Sequence, residues 1–200
     1  MPYPNILAMK LYLLILLFTT ILLNINCKKQ NICTDPVCQL PPATQTGANT
    51  FGCLVDGKPW TANTSDAFSL EKLSVGSRIV NEDTFFIIRA NRRHEREGID
   101  SDINLFIQGG NEQGVFPLKD NEAIGPRLST PVGSVGVYQI SKNYSYPTYE
   151  TDSVHTGQVT ITKYDIPNKI ASGTFYFTAQ NKENDSVVHV TDGRFDVILP

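Results

Sequence analysis

Short apolar runs with a period of two dominate the chain from Thr50 onward, and they constrain its fold more than any other feature. In "SGTFYFTAQN", for example, Phe175, Phe177 and Ala179 recur at every second position. Successive side chains of a strand point to opposite faces, so this period predicts half-buried strands. Eight or nine such runs, rich in β-branched and aromatic residues, follow one another with turn residues between them. We therefore expect a single all-β domain at residues 50–200, an antiparallel β-sandwich, with a small closed β-barrel as the alternative.

Four local signals refine this expectation. Asp56-Gly57 between apolar runs predicts a tight hairpin. Residues 180–185, "QNKEND", predict a polar loop between the last two long runs. Asp192-Gly193 predicts either a tight turn or a glycine bulge within the last strand. Residues 66–76 fit a short helix and a strand equally well.

The N-terminus is expected to carry an export signal. The run Leu11–Leu23 contains no charged residue and is followed by Lys28 and Lys29. A bilayer-spanning helix needs about 20 apolar residues, and this run is shorter, as in the core of a signal peptide. The remaining chain has no second apolar run of that length. Residues 1–26 are therefore predicted to be a signal peptide.

Cys27, directly after the leader, resembles the acylated cysteine of a bacterial lipobox. Asn24 and Asn26 stand where the usual pattern has Leu and a small residue, so the match is loose. Acyl chains contribute about 0.8 kcal/mol per buried CH₂, and stable anchoring needs more than one chain, which a triacylated cysteine supplies. We expect an exported lipoprotein held by Cys27 in the outer membrane, facing the periplasm or the cell surface. The alternatives are an uncleaved anchor and a soluble secreted protein.

Residues 27–49 are predicted to form a flexible tether, because Pro, Thr, Gln and Gly dominate and no structural period is present. An exported chain favours disulfides. Cys33 with Cys38 is the preferred pair, since a turn lies between them, and Cys38 with Cys53 is the alternative. No histidine lies near these cysteines in sequence, so no metal site is expected.

Two long segments carry a family resemblance. The segments "LPPATQTGANTFGCLVDGKPW" (40–60) and "IASGTFYFTAQNKENDSVVHVTDGRFDV" (170–197) resemble a family of Bacteroidota lipoproteins with a domain of unknown function of the DUF6252 type. They lie at the two ends of the domain, and the middle matches only in its strand rhythm. The resemblance implies export, acylation at Cys27 and an all-β domain. It implies no activity and no catalytic residues.

No catalytic motif is present, and we expect no catalytic residues and no cofactor. The nucleophile elbow, the P-loop and the dinucleotide fingerprint are missing. Residues 100–104, "DSDIN", begin like a calcium loop but lack its later Gly and Glu, so a polar strand edge is preferred. The basic cluster 89–96, "RANRRHER", is interpreted as a solvated loop, and the net charge of −3 argues against nucleic acid as a partner.

Two sets of side chains are candidates for binding or modification. Tyr144, Tyr146 and Tyr149 fall in one proline-containing segment and offer flat rings for stacking a ligand, or form a lid on the end of the sandwich. Ser153 and Ser186 each occupy an Asp-Ser-Val sequence that resembles the O-glycan acceptor of exported Bacteroidota proteins.

The sequence therefore favours a lipid-anchored envelope protein with a non-enzymatic β-domain, whose partner is a glycan, a peptide or another protein. One alternative is an envelope hydrolase with a dispersed acidic site. The other is a barrel that carries a small apolar ligand.

Overall fold

The structure is a computed structural model that describes residues 10, 33–63, 72–80, 82–93, 99–119, 133–142 and 145–200. Cys27 and Tyr144 lie outside the described residues. Within the described ranges, no helix has the length and apolar character needed to cross a membrane.

The described chain forms antiparallel strands that join in one sheet, preceded by a short 3-10 helix, Pro36–Gln39. The strands are β1 (Thr50–Val55), β2 (Lys58–Thr61), β3 (Leu73–Val80), β4 (Asp83–Arg92), β5 (Ile99–Gln108), β6 (Gly114–Leu118), β7 (Val135–Lys142), β8 (Thr148–Glu150), β9 (Gly157–Asp165), β10 (Ile170–Gln180) and β11 (Val187–Ile198).

The sheet forks at β10. Its main path runs β2-β1-β11-β10-β8-β7-β5-β4-β3, and a branch continues from β10 through β9 to β6. Most of β10 pairs with β9, while β8 joins only at its last residue, where Gln180 pairs with Glu150. The sheet curls into a half-barrel, which confirms the all-β antiparallel prediction.

The concave face of the half-barrel holds the main core. The alternating residues predicted to face inward, Phe175, Phe177 and Ala179, are all buried there. Full burial of a phenylalanine side chain such as Phe175 or Phe177 contributes about 1.5–3 kcal/mol. A second buried cluster lies on the convex face of β4, β5 and β7, and it comprises Phe85, Ile87, Phe106, Val135 and Val137.

The last strand contains the predicted bulge rather than a turn. Gly193 pairs with Phe175, but the next pair joins Val190 to Phe177, so β11 has one residue more than β10 there. The same shift occurs against β1. Asp192 takes a left-handed φ of 53°. A side chain at position 193 would lie 2.5 Å from the Phe175 carbonyl oxygen, which explains the glycine.

The predicted turns are also confirmed. Asp56 and Gly57 both have positive φ, 48° and 74°, as a two-residue hairpin between β1 and β2 requires. Residues 181–186 connect β10 to β11, as expected.

The basic cluster and two short strands differ from the expectation, and the end of residues 66–76 takes the strand alternative. Arg89–Arg92 continue β4, so the interpretation of this basic cluster as a solvated loop is wrong for these residues. Strands β6 and β8 were not predicted, because Pro117 and Pro147 interrupt the apolar pattern around them. Of residues 66–76, the end forms β3 from Leu73, and residues 66–71 are not described.

Residues 40–48, which we call the strap, are bound to the sheet. Leu40 is buried, and the compact unit begins at Thr34 rather than at residue 50. The carboxylate of Asp196 accepts hydrogen bonds from the Thr44 hydroxyl at 2.6 Å and from the Gly47 N–H at 2.8 Å. This part of the predicted tether is therefore fixed, because its polar groups satisfy a buried acid on β11.

Candidate functional site

A cleft of about 270 Å³ opens at the end of the half-barrel where the hairpin of β1 and β2 approaches the start of β11, and we call it the mouth cleft. Strands β4, β7 and β8 form its other sides. It is lined by Val55, Asp56, Lys58, Pro59, Trp60, Arg92, Tyr138, Ile140, Tyr149, Val187 and Val188.

The floor of the mouth cleft is a small hydrogen-bonded network. The indole Nε1 of Trp60 donates to Ser101 Oγ at 2.8 Å, and Tyr138 also forms a side-chain hydrogen bond with Ser101. Burial raises the pKa of Tyr138, and the bond with Ser101 opposes this only in part. The Tyr138 hydroxyl is therefore a neutral hydrogen-bonding group at ordinary pH.

Arg92 supplies the positive charge of the floor. It is the last residue of β4, on the same side of the strand as the buried Ala90. Its Nη1 donates to the Pro59 carbonyl at 3.2 Å, which fixes the guanidinium beside β2. Burial raises the pKa values of Tyr138 and Cys53, and the charge of Arg92 lowers both, so that charge acts within the cleft.

Two tyrosine rings form one wall. The centroids of Tyr138 and Tyr149 are 6.0 Å apart with an interplanar angle of 36°. The Tyr149 hydroxyl is hydrogen-bonded to Ser186 Oγ at 3.3 Å, with the tyrosine as donor, and so ties this wall to the β10–β11 loop. Such a wall offers a rigid apolar surface with polar tips.

The hairpin turn forms the opposite rim. Asp56 Oδ1 accepts the His189 N–H at 2.9 Å, and the Asp56 N–H donates to the His189 carbonyl at the same distance. One oxygen of this carboxylate is therefore occupied by the fold itself. Lys58 is exposed on the rim next to it.

Of the two predicted stacking tyrosines that the structure describes, one lines the mouth cleft. Tyr149 lies in β8 rather than in a loop, and it is half-buried. Tyr146 is 59 % exposed and does not line the cleft. Tyr144 is outside the described residues, so its role stays a prediction.

The two candidate glycosylation serines differ in their surroundings. Ser153 is exposed in the loop after β8, where the neighbouring Asp152 carboxylate accepts the N–H groups of Val154 and His155. Ser186 is half-buried, and its hydroxyl donates to Asn184 Oδ1 at 2.6 Å.

The described cysteines are in two states. Cys33 and Cys38 are each disulfide-bonded, whereas Cys53 is a free thiol buried in the core, so the alternative pair of Cys38 with Cys53 does not form. Burial raises the pKa of the Cys53 thiol far above its ordinary value, which makes it unreactive.

The predicted polar strand edge at residues 100–104 is wrong in one respect, because β5 pairs with β4 on one side and β7 on the other and is an interior strand. Asp100 forms an ion pair with Arg93. Burial raises the pKa of Asp102, while the charge of Arg93 lowers it. In the part of the chain that the structure describes, no three His, Cys, Asp or Glu side chains are grouped so as to hold a metal ion.

A family model matches residues 48–198, which include every strand from β1 to β11. Its description is a domain of unknown function, DUF6252. The chain belongs to the DUF6252 family. No curated protein and no solved structure matches it.

The matched DUF6252 region contains all the residues of the mouth cleft. Sequence reasoning found Tyr149 but missed Arg92 and Tyr138. The signal for Arg92 was present, because it continues the alternation of Phe86, Ile88 and Ala90 by one more step along β4. Tyr138 had no comparable signal, because a single tyrosine in a strand does not indicate which face of the sheet its side chain lies on.

Proposed function

We propose that the DUF6252 domain is a non-enzymatic binding module that holds a sugar unit of an envelope glycan in the mouth cleft. The observation that carries this proposal is the convergence of the Tyr138 and Tyr149 rings with the Arg92 guanidinium. Aromatic rings stack against the apolar face of a sugar, and guanidinium and hydroxyl groups bond its hydroxyls. The volume of about 270 Å³ is near the lower end for ligand pockets, which favours one ring over a large ligand.

The residues of the cleft favour binding over hydrolysis. Most glycosidases use two carboxylates about 5–9.5 Å apart. Among the described lining residues, Asp56 is the one carboxylate, and its Oδ1 is bound to the His189 N–H. A carried apolar ligand is also disfavoured, since the concave interior is filled by the side chains of the main core.

The single tryptophan of the chain gives a direct assay, because Trp60 lies in the mouth cleft. Its fluorescence is followed while purified peptidoglycan disaccharides and lipopolysaccharide core oligosaccharides are titrated in. We expect at least one of them to change the emission with saturation. Tyr149→Ala should weaken that binding about tenfold, equivalent to about 1.4 kcal/mol.

Two variants control this assay. Tyr149→Phe keeps the ring and should bind nearly as the parent does, while Tyr146→Ala removes an exposed tyrosine outside the cleft and should change nothing. Binding that is equally weakened by Tyr146→Ala and Tyr149→Ala, or no binding by any of these glycans, would contradict the proposal.

The proposed setting is the envelope of a Bacteroidota cell, with the chain anchored by a triacylated Cys27. The leader and the loose lipobox support this. The intact mass of the protein from its native membrane tests it, and a species that begins at Cys27 with three acyl chains is expected. An unmodified chain, or a Cys27→Ser variant that stays in the membrane fraction, would refute the anchor without affecting the binding assay.

A further inference from the structure

A second groove of about 400 Å³ lies on the convex face of β9, β10 and β11, on the other side of the sheet from the main core. The alternation along β10 defines this face, because Thr174 and Tyr176 are exposed while Phe175 and Phe177 are buried. We call it the outer groove. Its outward side chains are Gln158, Thr160, Thr174, Tyr176, Asp192 and Arg194.

Strand register places these side chains in rows. Thr174 pairs with Thr160 on one side and with Arg194 on the other, so these three form a row across the sheet. Tyr176 pairs with Gln158, one step further along. The Tyr176 ring is 52 % exposed, so it presents a free face beside polar groups.

The bulge in β11 adds an acid to this row. Between the pairs Gly193–Phe175 and Val190–Phe177, Tyr176 faces the extra residue of β11. Asp192 is exposed there, and Arg194 follows two residues later on the same face. A bulge changes the direction of the side chains around it. Here it places the Asp192 carboxylate and the Arg194 guanidinium near the Tyr176 ring.

The strap converts a flat sheet face into a groove. Ala43 of the strap forms one wall. The residues that follow it are held by Asp196, which accepts the Thr44 hydroxyl and three backbone N–H groups, those of Thr46, Gly47 and Ala48. The wall is therefore fixed before any ligand arrives.

Most polar groups of the outer groove remain available, although Gln158 Nε2 donates one of its two hydrogens to Thr160 Oγ1 at 3.1 Å. Among the described residues, the Asp192 carboxylate and the Thr174 and Tyr176 hydroxyls form no hydrogen bond, and Arg194 Nε donates only to the Asp192 carbonyl at 3.4 Å. One negative and one positive side chain give no net charge. The groove therefore has no net electrostatic attraction for a charged ligand, while a neutral molecule with many hydroxyls can accept from the guanidinium and donate to the carboxylate.

We propose that the outer groove is a second saccharide site, which binds an uncharged oligosaccharide with one ring stacked on Tyr176. Asp192 accepts hydroxyl hydrogens of that sugar, and Arg194 and Gln158 donate to its oxygens. The proposal is independent of the mouth cleft, because the two sites lie on opposite faces of the sheet.

Calorimetric titration of the full mature chain with neutral hexaoses tests the proposal, using separate α-glucan, β-glucan, mannan and xylan probes. We expect at least one to bind, with an affinity that Tyr176→Ala lowers at least tenfold. Tyr146→Ala, which removes an equally exposed tyrosine elsewhere, and Tyr149→Ala in the mouth cleft should leave that affinity unchanged. The same titration should not alter Trp60 fluorescence.

The variant Asp192→Gly removes the carboxylate from the outer groove without straining the backbone, so it distinguishes an effect on binding from an effect on folding. Glycine accepts the left-handed backbone at position 192 without strain, so the variant should melt at the same or a higher temperature while it binds the hexaose several-fold more weakly. Asp192→Asn should keep part of the affinity.

The outcomes distinguish the two proposals. If hexaose binding is lost in Tyr149→Ala and kept in Tyr176→Ala, the sugar occupies the mouth cleft and the second site is refuted. If no hexaose binds while an envelope glycan still changes Trp60 emission, the second site is refuted and the proposed function stands.

Discussion

At the scale of single residues, Asp196 has a structural role that the sequence did not predict. It is buried and accepts hydrogen bonds from the strap and from Ser172 Oγ, the latter at 2.8 Å. Asp196→Asn places amide hydrogens against these donors, so we expect a loss of about 2–4 kcal/mol in the free energy of unfolding. Urea unfolding followed by Trp60 fluorescence measures it. Asp83→Asn, an exposed change at the start of β4, should cost less than about 0.5 kcal/mol.

The same residue makes stability depend on pH. Burial alone would raise the pKa of Asp196, but the hydrogen bonds from Thr44, Ala48, Thr46 and Ser172 outweigh it and hold the pKa well below the usual 3.8. A carboxyl with a lowered folded-state pKa stabilises the fold fully above its unfolded pKa and loses that contribution as the pH falls below it. The stability difference between the parent and Asp196→Asn should therefore be constant near neutral pH and shrink below about pH 4. A difference that grows in acid would contradict this.

The two Asp-Ser-Val sequences should not behave alike. Ser153 is exposed, whereas the Ser186 hydroxyl is bonded to Asn184 Oδ1 and to the Tyr149 hydroxyl. If the native host glycosylates this chain, we expect the sugar on Ser153 and not on Ser186. Glycopeptide mass spectrometry of the parent and of Ser153→Ala checks this. A glycan found on Ser186 would show that modification precedes folding of the β10–β11 loop.

The contrast between Asp196 and Phe175 shows what sequence can predict at this scale. Phe175 belongs to a period-two pattern, so its burial follows from its neighbours. The strap donors to Asp196 are about 150 residues away in the chain, at positions 44–48, and no local pattern connects them to it. Arg92 was missed for a similar reason, because its charge suggested solvent while its place in the alternation put it inside.

At the scale of elements, the bulge in β11 controls both the bend of the strand and the placement of Asp192. Gly193→Ala puts a Cβ atom 2.5 Å from the Phe175 carbonyl oxygen, and this contact is with backbone that cannot move aside freely. We expect a loss of about 2–3 kcal/mol in unfolding free energy. Thermal and urea unfolding measure it.

A matched glycine provides the control. A Cβ at Gly76 in β3 would meet no atom within 4 Å, so Gly76→Ala should be neutral or more stable by about 0.4–1 kcal/mol. Equal losses in the two variants would show that alanine is unfavourable in these strands for some reason other than the close contact at the bulge.

The elements found from sequence were those with strong periodicity or unambiguous turn residues. The hairpin at Asp56-Gly57 requires positive φ at two positions, and few other residue pairs accept that geometry so readily. Strand β6 contains Pro117 and β8 has three residues, so neither carries enough pattern to be recognised. Both owe their strand form to partners, β6 to β9 and β8 to β7 and β10.

At the scale of the compact unit, the sheet has a separate cleft on each of its two faces. Strands β10 and β11 separate them, with the mouth cleft on the concave side and the outer groove on the convex side. The segments that resemble the family include β10 and β11. They indicate the family, but they do not locate either cleft. The mouth cleft depends on side chains from β2, β4, β7 and β8, and only the curl of the sheet brings those together.

The strap is expected to contribute to the free energy of unfolding, so that energy should depend on where the N-terminal boundary of the chain is placed. A chain of residues 50–200 lacks Leu40 and the donors from positions 44–48, so the Asp196 carboxylate keeps Ser172 as its remaining side-chain partner and loses the segment that covers it. Compared with residues 28–200, we expect it to lose about 3–5 kcal/mol, because it loses several hydrogen bonds to a charged group, about 1.5–3 kcal/mol each, and the burial of Leu40, partly offset by the entropy of ordering the strap. Urea unfolding of the two chains measures the loss. Asp196→Asn should then destabilise the long chain but have little further effect on the short one, because the donors it would face are already gone. Equal unfolding midpoints for the two parent chains would mean that the strap is bound without contributing to the fold, and the outer groove would lose its fixed wall.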